Sequence, residues 1–419
     1  MTAHLVQGDR LLALGALLLG ACAVPATPND FPTRPPTANP PTASAPLPTA
    51  AATLPPTTIA AVRAISVKLE DAKDVAVDAN GNLYVAGCHG IWGNLGQIDK
   101  IDTLGLITVV ARSDNGGFSG DGGPARAAAL SCVASVAFDG AGNLFFADNT
   151  NNRVRRIDRS GIITTVAGSG PAAIDDHGKD ISGAFGGDGG PASAARLNSP
   201  TDIVIDPAGN LYIADTGNDR IRKVDTQGII TTLAGTGEQG FAGDGGPATA
   251  AQLRLDPFFN SNIAVDAQGN VFVADTGNSR VRRIDRQGII TTIAGTGGTG
   301  HAPDGGLATE TVLTFPVGLV FDRQGNLYVA TENYQMGGDN RVRRIDSQGR
   351  ITTFAGGSEH TLLLGDGGPA TSAYLGVPLG LAFDTIGNLY IADSGGVTDG
   401  RVRKVNTSGI ITTVAGGAP

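Results

Sequence analysis

Several residue types are scarce in these 419 residues, and each scarcity removes a class of reading. Three cysteines, Cys22, Cys88 and Cys132, leave room for at most one disulfide. Basic residues number 30 against 39 acidic ones, a formal charge of −9, and they recur singly and not in patches. No electrostatic footprint for nucleic acid is visible, so no nucleic-acid partner is expected. Glutamate is sparse, with Glu70, Glu238, Glu310 and Glu359 among the few, which weakens any divalent-metal site that needs a glutamate ligand. There is no Gly-x-Ser-x-Gly elbow, no His-Glu-x-x-His, and no run with the closely alternating ligands of an EF-hand. The one long apolar run, Leu11 to Ala21, is too short to cross a bilayer.

That run has the length of a signal h-region. It ends in Leu19-Gly20-Ala21-Cys22, which resembles the lipobox of bacterial lipoproteins. The resemblance implies that residues 1–21 are a lipoprotein signal peptide and that Cys22 carries the lipid. The bilayer is then a partner, since two or more acyl chains suffice for stable anchoring. Ala23 is not the Asp that often retains such proteins at an inner membrane, which leaves an outer membrane or outer cell surface as the expected location. Residues 22–58 are dominated by Pro, Thr and Ala and cannot form a packed core. They read as a tether that reaches roughly 110 Å when extended at about 3.1 Å per residue.

Residues 59–419 are a repeat. Asp, two residues, Gly-Asn and an aliphatic-aromatic pair recur from Asp78, Asp139, Asp206, Asp266, Asp322 and Asp384. Such a period marks stacked supersecondary units. In the third copy, strands are expected at Asp202 to Asp206, Leu211 to Ala214, Arg220 to Val224 and Ile229 to Ala234, separated by Gly/Asn/Asp turns. Four antiparallel strands in each of six units give an all-β fold, a six-bladed β-propeller. The aromatics Tyr84, Phe145, Tyr212, Phe272, Tyr328 and Tyr390 occupy one strand position in every unit and read as inter-sheet core.

A second phrase, Gly-Asp-Gly-Gly-Pro-Ala, stands between units at 120–125, 187–192, 243–248 and 365–370, with a worn copy at 303–308. Pro followed by alanines suggests one helical turn at the blade edge. With two phrases recurring in register, the chain resembles bacterial NHL-repeat proteins, whose relatives include the propeller of the teneurins. The resemblance covers residues 68 to 416 and implies the fold. It says little of activity, because NHL propellers serve as binding modules and, less often, as enzymes. Closure of the ring is expected from packing of blade six on blade one, with Ile59 to Val67 as a brace.

Asp148, Asp215, Asp275 and Asp393 close second strands, while Arg153, Arg220, Arg280 and Arg401 open third strands. They are expected to pair across the hairpin as scaffold clamps. Blade one has Gly87 and Gln97 instead, and blade five keeps Arg341 opposite Thr331. The inter-blade Asp121, Asp188, Asp244, Asp304 and Asp366 pose the same choice between scaffold and cation site.

Variation concentrates on one face, called upper here, where the loops after second strands and the inter-blade connections lie. Asp188 follows Ala167 by 21 residues, whereas Asp244 follows Ala234 by 10, and the extra residues include Asp175, Asp176 and His177. His89, His177, His301 and His360 all fall in upper-face loops. Zinc chemistry needs three converging ligands, and these four do not match the pattern of propeller lyases. Trp92, with Tyr334 and Met336, either forms an exposed recognition patch or folds onto its own loop. The candidate binding surface is therefore His89, Trp92, Asp175, Asp176, His177, Tyr334, Met336 and His360. Cys88 and Cys132 lie at upward-pointing ends on neighbouring blades, where an oxidising space would allow a structural disulfide. No catalytic residue or cofactor is expected, with Ca²⁺ or Zn²⁺ left open. The reading is a surface-anchored module that binds protein or glycan, against an extracytoplasmic metal-dependent lyase or hydrolase with its site at the channel mouth.

Overall fold

A computed structural model describes residues 62–69, 71–89, 95–170, 185–256, 260–300, 303–332, 340–357, 364–395 and 400–417. Among them no helix is long and apolar enough to cross a membrane. They form six four-stranded antiparallel sheets, each made of four consecutive strands. The first strands are Ala72–Val77, Val133–Phe138, Pro200–Ile205, Ile263–Val265, Pro316–Phe321 and Pro378–Phe383. They pack on one another around the ring and back to the first, so the molecule is a six-bladed β-propeller.

Local chemistry fixes each turn. Asp206 Oδ1 accepts the Asn210 N–H at 2.8 Å, and its Oδ2 accepts the Asn210 side-chain amide at 2.7 Å. Asp78, Asp139, Asp266, Asp322 and Asp384 do the same in their blades. An aspartate that bonds its own backbone a few residues on is a ready-made turn. In blade three the strands run Pro200–Ile205, Leu211–Asp215, Arg220–Val224 and Ile230–Ala234, close to the sequence reading.

Blades adhere through apolar faces. Tyr84 meets Phe138 of the next blade edge-on at 4.9 Å, and Tyr328 meets Phe383 in the same way at 4.9 Å. The second-strand aromatics are inter-blade core. The inter-blade phrase folds as a staple. In the connection to blade three, Gly189 N–H donates to Ile230 and Ala192 N–H to Gly228, while the Ala192 carbonyl accepts from Gly168 of blade two. The helical turn that the alanines suggest is present as a 3-10 turn, Ala192–Ala194.

The ring closes with a sixth staple, where the sequence suggested a brace. Arg63 bridges Leu106 as Pro124 bridges Ile162, and Ala64 N–H donates to Gly105 as Ala125 does to Gly161. The Ala64 carbonyl accepts from Gly416 of blade six, and Ala64–Ser66 forms the 3-10 turn. Apolar residues of blades one and six share one core cluster, including Val75, Val85, Tyr390 and Val402.

Candidate functional site

The charges repeated in blades two to six are spent on the fold, and in blades two, three and four not through the expected pairs. Asp148 faces Arg153 in register, yet its ion pair is with Arg155, two residues further on. Arg155 is wholly buried, with Nη1 3.4 Å from Asp148 Oδ2 and Nη2 2.7 Å from the staple residue Asp121. Arg222 joins Asp215 and Asp188 in the same manner, and Arg282 joins Asp275 and Asp244. Arg343 and Arg403 bind the staple residues Asp304 and Asp366. The staple carboxylate also caps the outer strand, accepting Thr165, Thr232 and Thr292 N–H groups at Asp121, Asp188 and Asp244. Arg153, Arg220 and Arg280 turn outward instead, lying 3.5 to 3.8 Å from the ring centres of Phe118, Phe185 and Phe241. A guanidinium buried between two carboxylates holds blade to connection, and the two sets of aspartates are scaffold.

Blade one lacks this device. Asp99 sits opposite Val85 where Arg155 sits opposite Phe146, and Gly87 replaces the second-strand Asp. The result is a cavity of about 140 Å³ lined by His89, Gln97, Asp99 and Arg112 among apolar residues such as Leu69 and Val85. Asp99 is 4% exposed, and its Oδ2 accepts the Gln97 amide at 2.6 Å, while Oδ1 has no partner. Burial pushes the Asp99 carboxyl up to about 6, against the pull of Gln97 and Arg112. His89 Nδ1 lies 2.9 Å from the Leu95 carbonyl, and Nε2 is buried without a partner.

A second cluster lies at the inner strands. Ser135 Oγ donates to Asp202 at 2.6 Å, Asp202 accepts Ile263 N–H at 2.7 Å, and Asp74 accepts Val136 N–H at 2.9 Å. Each carboxylate thus caps the first strand of the following blade. Burial raises Asp74 to about 6, and burial together with the Asp74 charge raises Asp202 to about 8. Near the end of the second strand of blade five, Glu332 is buried, with Oε2 unpartnered. Burial lifts its carboxyl to about 7, with Lys73 pulling it down and Asp256 pushing it up. Among the described residues, no three His, Cys, Asp or Glu side chains converge on a point that could hold a metal ion.

Of the sequence candidates, only His89, Cys88 and Cys132 fall in the described residues. His89 ends the second strand, Leu83–His89, and does not lie beyond it. Cys88 and Cys132 are joined as a disulfide, with Cα atoms 4.7 Å apart. Cys22, Trp92, Asp175, Asp176, His177, His301, Tyr334, Met336 and His360 lie outside the described residues. Sequence reasoning passed over Asp99, Asp74, Asp202 and Glu332. Asp99 had a signal: it breaks a column that is otherwise Arg155, Arg222, Arg282, Arg343 and Arg403.

By fold the chain is a six-bladed β-propeller, and its repeats resemble NHL repeats. A model of the teneurin NHL domain matches residues 173–241, and a model of the NHL repeat matches residues 261–284. Teneurin-4 of Mus musculus is 27% identical over 353 residues, 78% of this chain. The match spans only 12% of the teneurin's own length. A solved protein of unknown function from Bacteroides thetaiotaomicron superposes with TM-score 0.54 at 16% identity, over 81% of this chain and 70% of that one. An auxiliary nutrient binding protein from Bacteroides ovatus gives TM-score 0.54 at 15% identity, over 83% and 70%. At such identities the two structures share the fold.

Proposed function

We propose that this propeller is a non-catalytic binding module, held at the bacterial cell envelope by a lipid on Cys22, that recognises a protein or glycan through its upper face. One observation carries the reading. Five blades fill their polar interior with chain-derived Arg–Asp contacts, and blade one leaves a polar hollow among upward strand ends. A rigid ring with irregular loops on one face is a scaffold for recognition. The test is binding of the full-length protein to glycan arrays and to envelope proteins, with and without residues 172–182. Loss of a partner on loop removal, with melting unchanged, supports the reading. Binding indifferent to every upper-face change, or turnover of the partner, defeats it. Labelling with an azido fatty acid that survives Cys22→Ser defeats the anchor.

Glu332 favours a second reading, a lyase or hydrolase at the channel mouth. A buried carboxyl with one free oxygen, raised to about 7, suits a general base. Metal-supplemented turnover of a lactone or cyclic-ester panel that disappears in Glu332→Gln would establish it.

A further inference from the structure

Blade one departs from the other five at a single place in space, although the changes are scattered in sequence. Arg155, Arg222, Arg282, Arg343 and Arg403 are each wholly buried at one third-strand position, and Asp99 holds that position in blade one. The second-strand aspartate of blades two, three, four and six is Gly87 there. Guanidinium and second-strand carboxylate are lost together. What remains is the cavity of about 140 Å³.

Two acceptors in that cavity lack a donor. Asp99 Oδ1 is buried and unpartnered on a side chain 4% exposed. The Leu95 carbonyl can only accept, so His89 Nδ1 carries a hydrogen, and in the neutral form of the ring Nε2 presents a lone pair. It too is buried and unpartnered. Folded proteins leave few buried acceptors bare, so each calls for a donor supplied from elsewhere. Several waters fit the space, at about 30 Å³ each, and a ligand that carries donors would displace them. A metal ion wants three or more protein ligands, and among the described residues no three His, Cys, Asp or Glu side chains converge here. The rim residue Arg112 is engaged with Asp114 at 3.1 Å. A planar cation with several donors fits both acceptors at once.

We propose that the blade-one cavity binds a guanidinium group brought by a ligand, which takes the seat that the chain's own arginine fills in each other blade. Asp99 Oδ1 and His89 Nε2 are its acceptors. The proposal rests on the upper face being the binding surface, because the cavity opens among the ends of second and fourth strands, Gly87 to His89 and Arg112.

The test is calorimetric titration of the full-length protein with agmatine and with the peptide Gly-Arg-Gly, using cadaverine, glucose and zinc chloride as comparators. Agmatine should bind, and Asp99→Asn should weaken it by about tenfold or more, the scale of a lost charge-assisted hydrogen bond. His89→Ala should weaken it independently, which keeps the test open if Asp99→Asn does not fold. Agmatine alone binding points to a small guanidino compound, and equal binding of Gly-Arg-Gly points to a protein arginine. Either outcome supports the site. No guanidinium binding, or binding that Asp99→Asn leaves unchanged, overturns it, as does Asp99-dependent binding of glucose or zinc in its place. Retained partner binding on the arrays with a silent agmatine titration would overturn this proposal alone.

Discussion

Arg222 Nη1 lies 3.1 Å from Asp215 Oδ2, and neither side chain touches solvent. Breaking such a pair strands a charge in the core. Arg222→Met should destabilise the propeller by about 3–5 kcal/mol in urea unfolding. Adding Asp215→Asn removes the stranded charge and should recover about half of that loss. A single variant as stable as the parent would show the pair to be idle.

The Asp74–Asp202 cluster sets a pH dependence. Both carboxyls titrate higher folded than unfolded, so they stabilise most at low pH and lose that contribution as pH rises through about 6 and then about 8. Burial also lifts Asp148, Asp215, Asp219 and Asp99 to about 6 and Glu332 to about 7, and raises Asp275 and Asp393, so the Asp202 share is read as the difference between parent and variant. From pH 7 to 9 the melting temperature should fall by roughly 2 °C. Asp202→Asn should flatten that slope. An unchanged slope in the variant would place the titration elsewhere.

The disulfide closes a separation of 44 residues between blades one and two. Cross-linking a loop of that size restricts the unfolded chain, so reduction should cost roughly 2–4 kcal/mol. Urea curves with and without dithiothreitol measure it. Reduction should leave the other blades' near-ultraviolet signals intact below the midpoint.

Two glycines of one blade should respond differently to Ala. Gly228 has φ +80° with open space around a new Cβ, so substitution should cost about 1–2 kcal/mol of backbone strain. Gly235 has φ +94°, and its Cβ would meet the Asp219 carbonyl at 2.2 Å. There the loss should exceed about 3 kcal/mol, since staple and strand must both shift. Equal melting temperatures would refute the close approach.

The propeller was legible because its turns are local chemistry. An aspartate that caps its own loop, as Asp206 does, announces a hairpin from within five residues of sequence. The clamps were misassigned because register alone was considered. Asp148 does face Arg153, but bulges and strand twist carry its carboxylate to Arg155, and the other half of that contact, Asp121, is 34 residues away. The sixth staple was obscured because it keeps the backbone pattern at Arg63 and Ala64 without the glycines or proline that mark the other copies. Blade one's hollow was missed for a related reason. Gly87 and Gln97 stand out as missing partners, but the residue that matters is Asp99, whose signal shows only against the arginines of the same repeat position.

Closure by a leading segment, and not by an exchanged strand, has a mechanical side. Tension reaching the propeller from its N-terminal side arrives at Val62 and acts first on the bond that its carbonyl accepts from Ile107 and then on the bond from Ala64 to Gly105. That is the geometry of peeling, in which bonds fail singly and not together. The sulfur link between Cys88 and Cys132 sits on the next seam and cannot share the load. The ring would thus yield first to force at the point where it meets its own beginning.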